Sequence, residues 1–120
     1  MKKQPIVYGI PNCDTVKKAR QWLTDHDIAA TFHDFKKQGV PPDHLDQWLA
    51  SAGWEKLVNR KGTTWRKLTA QAQEGVKDTA SARAILLEQP SLIKRPVVEW
   101  GTSTTVGFDL AAWETLLTKP

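Results

Sequence analysis

The sequence contains a single cysteine, Cys13, among 120 residues. One cysteine cannot close a disulfide within the chain, which excludes a small secreted domain held together by disulfides. It also excludes a Cys-x-x-Cys redox pair and a cysteine-rich zinc site. If Cys13 takes part in redox chemistry, the second sulfur atom must therefore come from another molecule.

Long apolar runs and a strong charge imbalance are also missing. The first apolar run, residues 6–10, is too short for the core of a signal peptide, and no stretch could span a bilayer. The net charge is a modest +4. The sequence shows no helix-turn-helix, zinc or RNA-binding signature. We therefore expect a cytoplasmic protein with no nucleic acid and no membrane among its partners. The length fits one domain, residues 1–120, and a monomer is the default expectation.

The order of predicted elements indicates an α/β fold. Residues 1–35 give a strand, a helix and a second strand, a unit that is normally parallel and right-handed. A helical insertion follows at about residues 41–90. The period of the apolar residues then changes to two, which predicts two strands within residues 97–106. Asp109 then caps a predicted last helix. We therefore expect a four-stranded mixed sheet flanked by helices.

Cys13 lies where the first strand has ended and the first helix begins. The first N–H groups of a helix have no internal partners and the helix dipole is positive there, so a thiolate is stabilised and its pKa falls. The alternative is a buried structural cysteine, a common fate of free thiols. The neighbouring Asp14 should raise the thiol pKa unless a cation offsets it. The sequence therefore favours a reactive thiolate with a cation beside it.

Two arginines are candidates for that cation. Arg60 lies in a polar loop, residues 59–64, and Arg95 immediately precedes Pro96 at the entry to a strand. A proline at this place is either an ordinary edge proline or a functional cis proline, and the sequence does not decide between them. The three histidines share no metal-like spacing, so no metal site is expected. Trp113 lies on an apolar helix stripe and is expected to pack in the core.

Four segments of the chain together carry a family resemblance. They are Tyr8-Gly9-Ile10-Pro11-Asn12-Cys13-Asp14-Thr15, Asn59-Arg60-Lys61-Gly62-Thr63-Thr64, Lys94-Arg95-Pro96-Val97 and Val106-Gly107-Phe108. In this order and spacing the chain resembles the arsenate reductase (ArsC)/Spx family over essentially its whole length, and most closely the YffB-type branch of small thiol reductases. The resemblance implies a thioredoxin-like fold with the helical insertion between a β-α-β half and a β-β-α half.

The same resemblance implies roles for individual residues. Cys13 matches the nucleophile, Arg60 and Arg95 match arginines that line the active site, and Pro96 matches the cis proline that faces the catalytic loop. Two departures matter. Arsenate reductases of this type carry a third arginine in the region of Gly107 and Phe108, where this chain has none, which argues against arsenate as the natural substrate. The second cysteine of the Spx-type Cys-x-x-Cys switch is replaced by valine.

These observations predict a monothiol, glutathione-dependent thiol reductase that forms a mixed disulfide between Cys13 and glutathione. Arg60 and Arg95 would hold glutathione carboxylates and stabilise the thiolate, supported by Asn12 and the first helical amides, with Pro96 beside them. Glutathione is expected as co-substrate, glutaredoxin as a further candidate partner, and no cofactor as tightly bound. The alternatives are an arsenate reductase coupled to glutathione or glutaredoxin, and an Spx-like transcription regulator that binds RNA polymerase.

Overall fold

The protein is described by a computed structural model that covers residues 4–101 and 103–118. Within these residues the strands of the sheet are β1 (Ile6–Gly9), β2 (Thr31–Asp34), β3 (Val97–Glu99) and β4 (Thr104–Val106). Their order across the sheet is β2-β1-β3-β4. Strand β1 runs parallel to β2 and antiparallel to β3, which in turn is antiparallel to β4. The four-stranded mixed sheet predicted from the sequence is therefore confirmed.

Helices join and cover these strands. They are α1 (Asp14–Asp25), α2 (Phe35–Gln38), α3 (Pro42–Ala52), α4 (Trp54–Leu57), α5 (Thr63–Lys67), α6 (Ala70–Glu74), α7 (Thr79–Glu88) and α8 (Leu110–Thr118), with a 3-10 turn at Pro90–Leu92. Within the described part of the chain, none of them combines the length and apolarity needed to cross a membrane.

Helices α2 and α6 were not predicted. Each begins at a side-chain cap, because Asp34 accepts a hydrogen bond from Lys36 N at 2.9 Å and Thr69 accepts one from Ala72 N at 3.0 Å.

Alternating side chains of the short strands bury both faces of the sheet. On one face Tyr8 and Val97 pack with the insertion, against residues such as Leu45, Trp48 and Leu86. On the other face the buried cluster comprises Val7, Ala19, Trp22, Leu23, Val98 and Trp113. The second face is thus covered by α1 and α8, and the helix that follows Cys13 is anchored on the sheet.

A backbone connection ties the insertion to the entry of β3. Val58 and Ile93 form an isolated antiparallel bridge, Asn59 N donates to Leu92 O at 2.8 Å, and Lys94 N donates to Leu57 O at 2.8 Å. These bonds hold residues 57–59 directly beside residues 92–94. Two segments that are more than thirty positions apart in the sequence therefore meet at one end of the sheet.

Candidate active site

Cys13 is the N-cap residue of α1, with extended backbone angles of φ −110° and ψ 124°. The turn that precedes it is tight, because β1 ends at Gly9 close to the first turn of α1. A methyl group on Gly9 would lie only 2.9 Å from Val16 Cγ2, so a side chain at this position would push the helix away from the strand. The predicted placement of Cys13 at a strand-to-helix junction is confirmed, and its side chain is partly exposed.

The surroundings of Cys13 favour the thiolate. Burial opposes ionisation, but the backbone N–H groups of Val16 and Thr15 and the hydrogen bonding and charge of Arg95 outweigh it and lower the pKa of the thiol below its ordinary value. Arg95 is therefore the cation that the sequence required to offset Asp14. A thiol with a lowered pKa is more fully ionised at neutral pH and is available as a nucleophile.

A cis peptide bond lies immediately before β3. The Arg95–Pro96 bond is cis, as the family resemblance implied. The buried Pro96 accepts a hydrogen bond on its carbonyl oxygen from Gly107 N at 2.9 Å. Arg95 donates from Nη1 to Ser91 O at 3.3 Å, while its buried Nε has no hydrogen-bond partner among the described residues. The guanidinium thus combines its contact with Cys13 with one buried donor that has no acceptor among the described residues.

Cys13 opens into a cleft of about 490 Å³, a volume within the range of small-molecule sites. The cleft is lined by Cys13, Thr15, Lys56, Asn59, Lys94, Arg95, Thr105, Val106, Gly107, Phe108, Asp109, Ala112 and Trp113. The sequence did not assign Lys56, Asn59 or Lys94 individually to the site, although Lys56 begins a basic stretch, residues 56–67, for which a solvated face and an anion site are the two interpretations. These three residues reach the cleft through the pairing of residues 57–59 with residues 92–94, a long-range contact that local patterns do not report.

Two further residues that the sequence assigned to the site, Arg60 and Asn12, are not in the cleft lining. The guanidinium of Arg60 lies over the ring of Trp54, 5.1 Å from its centroid, and 6.0 Å from the centroid of Trp65. From this segment Lys56 and Asn59, rather than Arg60, line the cleft. Asn12 is exposed in the turn that precedes the catalytic-loop cysteine. The roles of Arg60 and Asn12 in binding stay predictions.

Trp113 both packs in the core and lines the cleft. It is fully buried, and its ring makes edge contacts with Trp22, Trp100 and Phe108 at centroid distances of 4.8–5.4 Å, which confirms the predicted packing role. It also lines the cleft, and its Nε1 has no hydrogen-bond partner among the described residues. Across residues 4–101 and 103–118, no three His, Cys, Asp or Glu side chains form a group that could hold a metal ion.

A cysteine at the N-terminus of a helix, an arginine beside it and a cis proline just before the facing strand lie together on a thioredoxin-like fold. The chain belongs to the ArsC family, whose family model matches residues 8–116. It is 44% identical over 103 residues to an uncharacterised protein of Haemophilus influenzae, covering 86% of this chain and 90% of that relative. It is also 28% identical over 101 residues to the global transcriptional regulator Spx of Streptococcus agalactiae, covering 82% of this chain and 72% of the regulator.

Solved structures support the same assignment. The YFFB protein is 46% identical and superposes with a TM-score of 0.89, covering 95% of this chain and 99% of that one. An arsenate reductase (ArsC) related protein from Brucella melitensis is 49% identical, with a TM-score of 0.75, 98% coverage of this chain and 97% of its own. The predicted membership of the ArsC/Spx family and its thioredoxin-like fold are therefore confirmed.

Proposed function

We propose that the protein is a monothiol thiol–disulfide oxidoreductase that uses glutathione as co-substrate. The observation that carries the proposal is the position of Cys13, whose sulfur lies at the helix N-terminus and beside Arg95 in an open cleft. These surroundings lower the pKa of the thiol. Because the chain has no second cysteine, the electrons for reduction must come from an external thiol.

The reaction consists of two thiol–disulfide exchanges. The Cys13 thiolate attacks the glutathione sulfur of a mixed disulfide, the S–S bond breaks, and the other thiolate leaves and takes a proton from water. This step produces Cys13 joined to glutathione. The thiolate of a second glutathione then attacks the glutathione sulfur of that adduct, which releases oxidised glutathione and restores the Cys13 thiolate. The net result is reduction of one mixed disulfide and oxidation of glutathione.

The side chains around Cys13 have distinct tasks in this scheme. Arg95 and the first amides of α1 stabilise the Cys13 thiolate both before attack and when it leaves the adduct. Arg60, as the family resemblance implies, and Asn12, from its place beside Cys13, are proposed to assist in binding. Pro96 is proposed to support the site, since it is buried next to Arg95 and its carbonyl oxygen accepts a hydrogen bond from Gly107 N.

The test is the rate of alkylation of the protein by iodoacetamide as a function of pH. The chain has one thiol, so the reagent reports on Cys13 alone, and the same chain unfolded in denaturant is a matched control. The folded protein should reach its maximal rate at lower pH than the unfolded chain. A pKa for folded Cys13 at or above the free value of about 8.5 would contradict an activated nucleophile. Mass spectrometry should then find one glutathione on Cys13 after treatment with oxidised glutathione, removed by reduced glutathione.

Two other functions are consistent with the family and are separated by direct assays. Glutathione-coupled arsenate reduction is suggested by the relative related to arsenate reductase, and the cationic cleft suits an oxyanion. Turnover of arsenate without turnover of a disulfide would replace our proposal. A transcription role is suggested by the Spx relatives. Co-purification with RNA polymerase, together with unchanged function of a Cys13→Ser variant, would favour that role.

A further inference from the structure

The side chain of Lys94 runs beside Gly107, and both residues line the cleft. A methyl group built on Gly107 would lie 3.1 Å from Lys94 Cε and 3.7 Å from Lys94 Nζ. Gly107 also has a φ of +80°, a conformation that other residues rarely adopt. The absence of a side chain at position 107 therefore leaves the space over which the lysine stem runs, and Lys94 lines the cleft that contains Cys13.

The charges that line this cleft are mostly positive, and none of the cations takes part in a salt bridge among the described residues. Lys56, Lys94 and Arg95 contribute cations, and Asp109 is the carboxylate in the lining. Asp109 Oδ1 accepts a hydrogen bond from Ala112 N at 3.2 Å, at the start of α8. The two salt bridges found among residues 4–101 and 103–118 join His44 to Glu99 and Arg83 to Asp46, and neither involves a cleft cation. The cleft thus offers positive charge to a molecule that enters it.

An independent observation indicates that this molecule carries hydrogen-bond acceptors. Within the described residues, the buried side-chain nitrogens without a partner are Arg95 Nε and Trp113 Nε1, and both residues line the same cleft. Buried donors without an acceptor are uncommon because each loses its bond to water and gains nothing in return. Carboxylate or carbonyl oxygens of a bound molecule would supply the missing acceptors.

Arg95 and Lys94 are adjacent in sequence but have different neighbours. The charge and hydrogen bonding of Arg95 act on Cys13. The Lys94 ammonium lies instead against Gly107, in the lining of the same cleft. A lysine ammonium is a compact charge with three donors, suited to a single carboxylate. The two cations can therefore serve the nucleophile and the substrate separately.

We propose that Lys94 is the specificity-determining residue of the cleft, and that it binds a carboxylate of the disulfide substrate so that anionic disulfides react in preference to neutral or cationic ones. This inference rests on the proposed thiol–disulfide exchange at Cys13 and adds the substrate class to it. Glutathione has two carboxylates and belongs to this class. Lys56 provides a second cation for the other carboxylate.

The experiment compares three small symmetrical disulfides that differ in charge: dithiodipropionate, which is anionic, hydroxyethyl disulfide, which is neutral, and cystamine, which is cationic. The rate at which each forms a mixed disulfide with Cys13 is measured by acid quenching and mass spectrometry. The variant Lys94→Met retains most of the stem over Gly107 and removes the charge. Lys67→Met removes an exposed lysine at the end of α5 and is the matched control.

The wild-type protein and the Lys67→Met variant should both prefer dithiodipropionate. Lys94→Met should lower the rate with dithiodipropionate about fivefold, leave the rate with hydroxyethyl disulfide nearly unchanged and raise the rate with cystamine. Lys94→Arg should restore the preference, because the charge is kept. The wild-type preference should also weaken as salt is raised from about 0.05 M to 0.5 M, since part of the cleft is open to solvent.

Two outcomes would overturn the inference, and a third would overturn the proposed function beneath it. An unchanged anionic preference in Lys94→Met would show that another residue sets specificity. An equal loss of rate with all three disulfides would show that Lys94 acts on the fold or on the Cys13 thiolate. If none of the three disulfides reacts with Cys13 of the wild-type protein, thiol–disulfide exchange itself is wrong, and the specificity inference fails with it.

Discussion

The cluster around Glu99 and the cleft around Cys13 both hold charged groups in partly buried surroundings, yet they are completed in different ways. Glu99 accepts hydrogen bonds from Trp48 Nε1 at 2.8 Å and Tyr8 Oη at 3.0 Å, and its other contact is His44 Nδ1 at 2.7 Å. Burial opposes ionisation of Glu99, but the bonds from His44, Trp48 and Tyr8 outweigh it and lower its pKa. Burial and the nearby Glu99 raise the pKa of Tyr8, so the phenol keeps its proton and remains a donor.

In the cleft the corresponding donors have no acceptor within the described chain. Arg95 Nε and Trp113 Nε1 are buried without partners, and the lysines are not paired with carboxylates. A polar cluster whose donors and acceptors match each other stabilises the fold. Donors that are left over in a polar cluster require an acceptor from water or from a bound molecule. We therefore expect the Glu99 cluster to serve stability and the cleft to serve binding, and mutations in the two regions should separate stability from reactivity.

The largest effect should come from Cys13→Ser. This variant should lose all mixed-disulfide formation with glutathione, because serine is not ionised at neutral pH and cannot form a disulfide. Its thermal unfolding should stay close to that of the wild-type protein, since Cys13 is partly exposed and serine is a favourable residue at the N-cap position that Cys13 occupies. Residual turnover of disulfides by this variant would contradict the nucleophile assignment.

The next largest effect should be on stability, from Glu99→Ala. The change leaves Tyr8, Trp48 and His44 without their common acceptor, and we expect a loss of about 3 kcal/mol in the free energy of unfolding. Urea unfolding measures it, with the exposed Glu88→Ala as control. The alkylation rate of Cys13 in the folded variant should be unchanged. A change in Cys13 reactivity would show that the Glu99 cluster also acts on the cleft, so that the two regions are not separate.

The pH dependence of stability gives a second measurement on Glu99. Its pKa is lower in the folded protein than its ordinary value of 4.5. The contribution of the charge is therefore fully present above that ordinary value and is lost as the pH falls through the lowered folded pKa. The stability difference between the wild-type protein and Glu99→Gln should be constant at neutral pH and shrink in acid. A difference that grows in acid would have the wrong sign.

A smaller effect is expected from Arg95→Met on the reactivity of Cys13. Removing the guanidinium takes away two of the influences that lower the pKa of the thiol, while the amides of Val16 and Thr15 remain. We expect alkylation at pH 7 to be about tenfold slower and the rate profile to move to higher pH. Arg83→Met, which removes a surface arginine paired with Asp46, is the control. An unchanged profile would assign the lowered pKa to the helix N-terminus alone.

Much of the fold could be predicted from the sequence because strong local signals mark its elements. Gly9 ends the first strand, Asp78 caps α7 through a reciprocal pair with Ser81, and Asp109 caps the last helix by accepting from Ala112 N. The missed helices α2 and α6 are only four and five residues long, too short for a periodic pattern to develop.

The site could be predicted only where it depends on local position. Cys13 was identified because its reactivity follows from the start of a helix, and Arg95 because the family motif places it next to Pro96. Lys56 and Lys94 look like ordinary solvated lysines in the sequence, and they become neighbours only through the bridge between Val58 and Ile93. The cluster at Glu99 could not be predicted from the sequence either, because it joins side chains up to 91 positions apart.

The smallest effect in the comparison should come from Arg60→Ala. The guanidinium of Arg60 lies over Trp54 and Trp65, whereas Lys56 and Asn59 line the cleft from the same segment. We therefore expect mixed-disulfide formation to fall by no more than about threefold, through a weaker positive field, and stability to fall by about 0.5–1 kcal/mol through the lost ring contacts. Paired assays of exchange rate and urea unfolding on this variant and on Arg95→Met measure both quantities. A loss of rate as large as that of Arg95→Met would show that Arg60 turns toward the bound substrate, as the family resemblance implies, and that the cleft is completed by the loop at residues 59–64 when the substrate enters.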